Sequence, residues 1–105
     1  MFSIIYQFYV KEGFEDTFIE GWKGLTQLIY EHEGSFGSRL HVSDKGEYIA
    51  YAQWPSEEIF NNSGSKLPER ASLYRKLMRE SCHGTKVLHK LNTIEDLIEQ
   101  KPFKQ

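Results

Sequence analysis

The sequence predicts an α+β domain in which four strands form one antiparallel sheet and two helices pack on a single face of it. Three observations lead there. With 105 residues, 39% hydrophobic and 14% aromatic, the chain can fill one core but not two. Apolar spacing switches between period two and period three-to-four in the order β-α-β-β-α-β. Glycine, proline and short polar clusters fall at the joints between those stretches.

The first strand is expected from Ser3 to Val10, rich in Ile, Tyr, Phe and Val, and ends at the polar turn Lys11-Glu12-Gly13. From Phe14 to Tyr30, Phe14, Phe18, Trp22, Leu25 and Ile29 recur at helical spacing and make one apolar stripe. Glu15 and Asp16 suit the positive amino end of that helix. Gly21 and Gly24 lie beside the stripe, and each costs about 1 kcal/mol relative to Ala. Either a close helix contact or room beside Trp22 must use the space. Gly34 closes the helix. Ser35 to Ser43 and Glu47 to Trp54 flank Asp44-Lys45-Gly46 and read as a hairpin.

Pro55 stops the third strand, and Ser56 caps a short helical segment through Asn61. The run Asn62-Ser63-Gly64-Ser65 breaks it, and Pro68 opens another helix with Ala71, Leu73, Tyr74, Leu77 and Met78 on its apolar face. After Cys82-His83-Gly84 the last strand covers Lys86 to Leu91. Thr93 and Asp96 form a capping box for a helical tail. The expected organisation is one domain over residues 1–105, with a core at 3–91 and a helical tail at 93–101.

This element order is the split βαβ arrangement of the ferredoxin-like class. Its helices cover one face of the sheet. Ile4-Ile5-Tyr6 and Phe8-Tyr9-Val10 put bulky apolar groups on both faces of the first strand, so the second face also needs a cover. A second copy of the chain supplies a self-complementary sheet about a two-fold axis, and a homodimer is expected.

Thirteen basic against fifteen acidic residues, scattered along the chain, argue against nucleic acid as a partner. The apolar start MFSIIYQFYV lacks a basic leader and is too short to span a bilayer, so no membrane association is expected. One cysteine, Cys82, cannot form an internal disulfide, which suits a cytoplasmic location.

Period two along the third strand places Tyr48, Ala50, Ala52 and Trp54 on one face and Ile49, Tyr51 and Gln53 on the other. Alanines bracketed by aromatics leave a gap walled by rings. Facing Trp22 and Tyr74 on the helices, that gap would be an apolar slot for a flat aromatic ligand. Alternatively, Phe18, Trp22 and Leu73 fill it.

The stretch Gly34-Ser35-Phe36-Gly37-Ser38-Arg39-Leu40-His41, followed by Tyr51-Ala52-Gln53-Trp54-Pro55-Ser56, resembles the core of the antibiotic biosynthesis monooxygenase family. Gly13, Phe18 and Trp22 fit the same pattern, so the likeness covers most of positions 3–91. It implies a dimeric α/β barrel with a pocket in each subunit between sheet and helices. Some such proteins oxidise polycyclic phenols or quinols with O2 and no metal or flavin, and others degrade haem.

Carried over by position, the family's tryptophan is Trp54, the best catalytic candidate. The asparagine four residues before it is Ala50 here, and the tyrosine six residues after it is Phe60, which cannot donate a hydrogen bond. Gln53, Tyr74 or Arg75 could supply the missing polar contact. The haem-degrading branch ligates iron through a histidine on the second long helix, and Pro68 to Glu80 contains none, while Asn62 falls near that branch's tryptophan position. No metal or cofactor is expected.

His32, His41, His83 and His89 show no ligand spacing. Arg39 and His41 share a strand face and read either as an anion site or as solvated edge residues. Cys82 and His83 are neighbours on opposite faces, against a Cys/His catalytic pair. The expectation is a cofactor-independent monooxygenase-like protein acting on a small or polycyclic aromatic phenol or quinol in a pocket between sheet and helices. A noncatalytic small-molecule-binding domain and a structural dimer are the alternatives.

Overall fold

The computed structural model describes residues 1–103. Its elements are β1 (Phe2–Val10), α1 (Glu15–Glu33), β2 (Gly37–Val42), β3 (Tyr48–Trp54), α2 (Glu57–Asn61), α3 (Ala71–Ser81) and β4 (Cys82–Asn92). The four strands form one antiparallel sheet in the order β2-β3-β1-β4, so β1 and β2, joined through α1, are separated by β3. This is the ferredoxin-like α+β topology read from the sequence.

Register follows from side-chain alternation. Ile4 pairs with Ala52 and Tyr6 with Ala50, and these residues share the face that carries the core. Phe2, Ile4, Ala52 and Trp54 form one buried cluster there, and Phe8, Phe18 and Ala50 a second. Tyr6 packs against both.

Gly34 ends α1 in the left-handed conformation, with φ 83°, where a side chain would be strained. Ser56 caps α2, its Oγ accepting from the Ile59 N–H at 3.1 Å. Gly21 and Gly24 serve close packing. A β-carbon on Gly21 would stand 3.0 Å from Leu77 Cβ, Met78 Cγ and the Tyr74 carbonyl oxygen. One on Gly24 would clash with the Tyr74 ring. The glycines let α3 approach α1.

Several expectations need correction. No helix forms at 93–101: the Thr93 N–H bonds to the Met1 carbonyl at 3.0 Å, and Asp96 Oδ1 accepts from Ile98 N–H at 3.1 Å instead of capping a first turn. Ile94 and Leu97 are 90% and 89% exposed, so a helix there would have no apolar face to dock. β4 is longer than expected and includes Cys82-His83-Gly84, because β1 extends its ladder to Val10, which pairs with Cys82. Register shifts accompany that extension. Leu73 points to solvent, 57% exposed, and Phe14 sits outside α1 at 44%, its ring below the Lys11 ammonium at 5.8 Å.

The outer sheet face carries Ser3, Ile5, Gln7 and Tyr9 of β1 against Ile49, Tyr51 and Gln53 of β3. Ser3 is buried, and its Oγ donates to the Tyr51 hydroxyl at 3.1 Å. No element of the described chain packs over the centre of this face.

Candidate functional site

Alternation on β3 buries Ala50, Ala52 and Trp54 under α1, and the two alanines leave their volume unfilled. The result is an apolar cavity of about 220 Å³ between the sheet and the helices. Trp22, Leu25 and Ile29 of α1 form its roof, Met78 of α3 closes one side, and Tyr6, Phe8, Ala50, Ala52 and Trp54 form its floor. Thr26, Ser35, Ser38 and Thr85 add hydroxyls at the margins. The alternative of a gap filled by Phe18, Trp22 and Leu73 does not hold: Leu73 lies outside, and Phe18 packs instead against Phe8 at 5.0 Å and edge-on to Tyr48 at 5.6 Å.

Three of the expected site residues, Trp22, Ala50 and Trp54, meet on this cavity wall. The others do not. Tyr48 is held against Phe18. Gln53 lies on the outer face, as period two requires, and its side-chain amide donates to the Tyr51 hydroxyl at 3.3 Å. Phe60 stands behind Trp54, edge-on at 5.4 Å, and 5.7 Å from Phe2. Together with Glu33, Ser63, Gly64 and the exposed Arg75 it lines a second chamber of about 220 Å³, separated from the first by Tyr6, Ile29 and Trp54. The Tyr74 ring, against Gly24, borders a larger open groove along α1 that includes Asp16, Glu20 and Lys23. That groove is the more open and more polar of the two, so the apolar cavity under α1 is the better place to remove a ring from water.

Two residues of the site escaped sequence reading. Tyr6 stands directly opposite Ala50 and lines both chambers. Burial pushes its hydroxyl above the ordinary 10.0. Its place was readable from β1 alternation, but only the β1–β3 register puts it at Ala50. Glu33 is buried at the end of α1, and its carboxylate accepts from the backbone N–H groups of Gly64 and, at 3.3 Å, Lys66. It pins the loop beside the second chamber, a contact over some thirty residues that no local pattern signals.

Chemically, the cavity can desolvate and sandwich a flat ring between Trp22 and Trp54. Tyr6 is the sole titratable group on its wall, so the site brings no carboxylate or imidazole to act as a general base. Arg39 and His41 are exposed on the edge strand, paired with Tyr51 and Ile49 of the outer face and away from the cavity. Cys82 is half-buried beside Ser81, its Sγ 4.0 Å from Ser81 Oγ, and burial pushes the thiol up despite Ser81 and Lys11. Among the described residues, no group of three or more His, Cys, Asp or Glu is placed to hold a metal ion, and no helix is long and apolar enough to cross a membrane.

Known structures share this architecture. SnoaB from Streptomyces nogalater, a cofactor-independent oxygenase, is similar at 13% identity over 93% of this chain and 97% of its own, with a TM-score of 0.72. Rv0793 from Mycobacterium tuberculosis is similar at 13% identity over 92% of this chain and 98% of its own, with a TM-score of 0.71. At such identity the likeness shows the fold. No curated protein matches the sequence. The profile described as antibiotic biosynthesis monooxygenase matches residues 1–65, which hold β1, α1, the β2–β3 hairpin and α2 and therefore most of the cavity wall. The chain belongs to the antibiotic biosynthesis monooxygenase family.

Proposed function

We propose that the protein is a cofactor-independent monooxygenase that oxidises a phenolic aromatic ring inside the cavity under α1. The observation that carries this reading is the ring-walled apolar cavity on the strand that bears Trp54, in a chain of this family. Enclosure strips water from the bound ring and holds it where O2 can meet it. The substrate supplies the electrons. A phenol with a free para position and one O2 give a para-quinone and one water: one oxygen atom enters as the new carbonyl, and the other leaves with the two hydrogens lost. Substrate and O2 balance without another reductant.

The working unit in this proposal is a homodimer. Tyr9 and Leu91, 43% and 42% exposed, lie with half-buried Ile5, Ile49 and Tyr51 on a sheet face whose margin at Ser3, Tyr51 and Leu91 borders residues 93–98 and over whose centre no described element packs. A second copy of the same sheet covers it and closes a barrel.

The test is O2 uptake with 1-naphthol by chelator-treated protein, followed by the absorbance of 1,4-naphthoquinone. Uptake that disappears in Trp54→Ala but persists in Leu73→Ala supports the reading; no uptake with any phenol of a one-to-three-ring panel overturns it. A second reading, a noncatalytic small-molecule-binding domain, is favoured by Ala50 and Phe60 standing where polar side chains would assist a reaction. It is the outcome if ligands bind and no oxygen is consumed.

A further inference from the structure

Of the hydroxyls around the cavity, Tyr6 alone is half-buried on an aromatic arm and makes no hydrogen bond among the described residues. Ser38 Oγ already donates to the Tyr51 carbonyl at 3.0 Å, and Ser35 Oγ, held at the margin on its short side chain, accepts from Gly37 N–H at 2.8 Å and keeps its own O–H. Thr85 is exposed to water, and Thr26, half-buried on α1, also has no partner among the described residues but carries its hydroxyl on a short arm at the cavity margin. Among the described residues the sealed side-chain oxygen without a partner is Glu15 Oε2, so the Tyr6 oxygen is not sealed, and its side chain borders both chambers. An accessible phenol without a protein partner is completed by water or by a polar atom of a ligand that displaces that water.

The wall holds no charged side chain, and the cavity, at about 220 Å³, falls below the range that encloses drug-sized ligands. We infer that Tyr6 is the hydrogen-bond donor that orients an oxygen of the ligand, and that this ligand is an aromatic of one or two rings. Larger polycycles must displace Tyr6 or Trp54 or extend through the open side of the cavity, where the additional ring loses burial. Because burial keeps the Tyr6 hydroxyl protonated through neutral pH, it donates to a phenolate or quinone carbonyl and is not itself an anion competing with one. Its Cα stands opposite that of Ala50, and both side chains line the cavity. The inference rests on the proposed site and is independent of turnover.

The experiment is anaerobic equilibrium binding read by quenching of Trp22 and Trp54 fluorescence, with 1,4-naphthoquinone, naphthalene and a three-ring anthraquinone as probes. In Tyr6→Phe the affinity for naphthoquinone is expected to fall by about tenfold, the loss of one hydrogen bond, while naphthalene binds as before. Anthraquinone is expected to bind the native protein at least tenfold more weakly than naphthoquinone, a steric exclusion of about that size. The variant keeps its ring, and an unchanged thermal melt confirms the fold. Equal losses for naphthoquinone and naphthalene would mean that Tyr6 only shapes the wall. Naphthoquinone affinity unchanged in Tyr6→Phe, no binding of naphthoquinone at all, or anthraquinone binding as tightly as naphthoquinone each overturns the inference. Binding without oxygen uptake defeats the oxygenase reading and leaves Tyr6 standing.

Discussion

Filling the cavity from its floor gives a prediction whose sign depends on whether the space exists. Ala50 is 1% exposed, on the cavity floor between Tyr6 of β1 and Leu40 of β2. Ala50→Leu adds three carbons there. If they enter empty space, each contributes ~0.8 kcal/mol, or roughly 2.4 kcal/mol in all. Restricting the leucine rotamers offsets about 0.5–1 kcal/mol, so a net gain of about 1.5 kcal/mol remains. For a domain of this size that raises the melting temperature by roughly 5–10 °C. If the interior were already full, the same substitution would overpack it and destabilise by about 1–3 kcal/mol. Urea unfolding at one fixed protein concentration, with the m-value unchanged, measures the difference. A midpoint that falls, or naphthoquinone binding that survives with native affinity, refutes the cavity and every functional statement built on it.

Three further outcomes follow from individual contacts. Gly21→Ala gains about 1 kcal/mol of helix propensity but must displace Leu77, Met78 and the Tyr74 carbonyl, an overpacking of about 1–3 kcal/mol; a net loss near 1 kcal/mol by chemical denaturation is expected, and a gain would contradict the α1–α3 contact. Glu33→Ala removes the acceptor for the Gly64 and Lys66 amides, so these two exchange with solvent much faster by hydrogen exchange and stability falls by about 2 kcal/mol; unchanged protection would show that the loop is held otherwise. Burial holds the Cys82 thiol above its ordinary 9.0, so at pH 8 iodoacetamide should react with it more slowly than with free cysteine. Because the folded value is the raised one, stability is intact below pH 9 and declines above it, where the unfolded chain loses its proton first; Cys82→Ser should blunt that alkaline decline.

The fold was legible because local chemistry and global packing agree along most of the chain. The stripe of Phe18, Trp22, Leu25 and Ile29, the Gly34 stop, the Ser56 cap and the period-two split of β3 are all short-range signals, and each corresponds to an observed element or face. The tail was misread for the same reason. Thr93 and Asp96 carry a capping pattern, but a short helix needs an apolar surface to dock on, and Ile94 and Leu97 have none in the described chain. Family likeness pointed to Trp54 and to the losses at Ala50 and Phe60, and period two put Gln53 on the opposite face, but no local signal places Phe60 behind Trp54.

Sequence by itself therefore determined the α+β class, the order of the elements and the ring-and-alanine face of β3, because these depend on neighbours two to four residues apart. Tertiary structure decided which side chains share the cavity. That depends on strand register, which sets Tyr6 against Ala50, and on the α1–α3 approach at Gly21 and Gly24, which sends Tyr74 to an outer groove. Both are contacts between residues some forty to sixty positions apart. No local spacing encodes them, because side chains of many sizes would leave the same pattern in the sequence while filling or emptying the space between the layers.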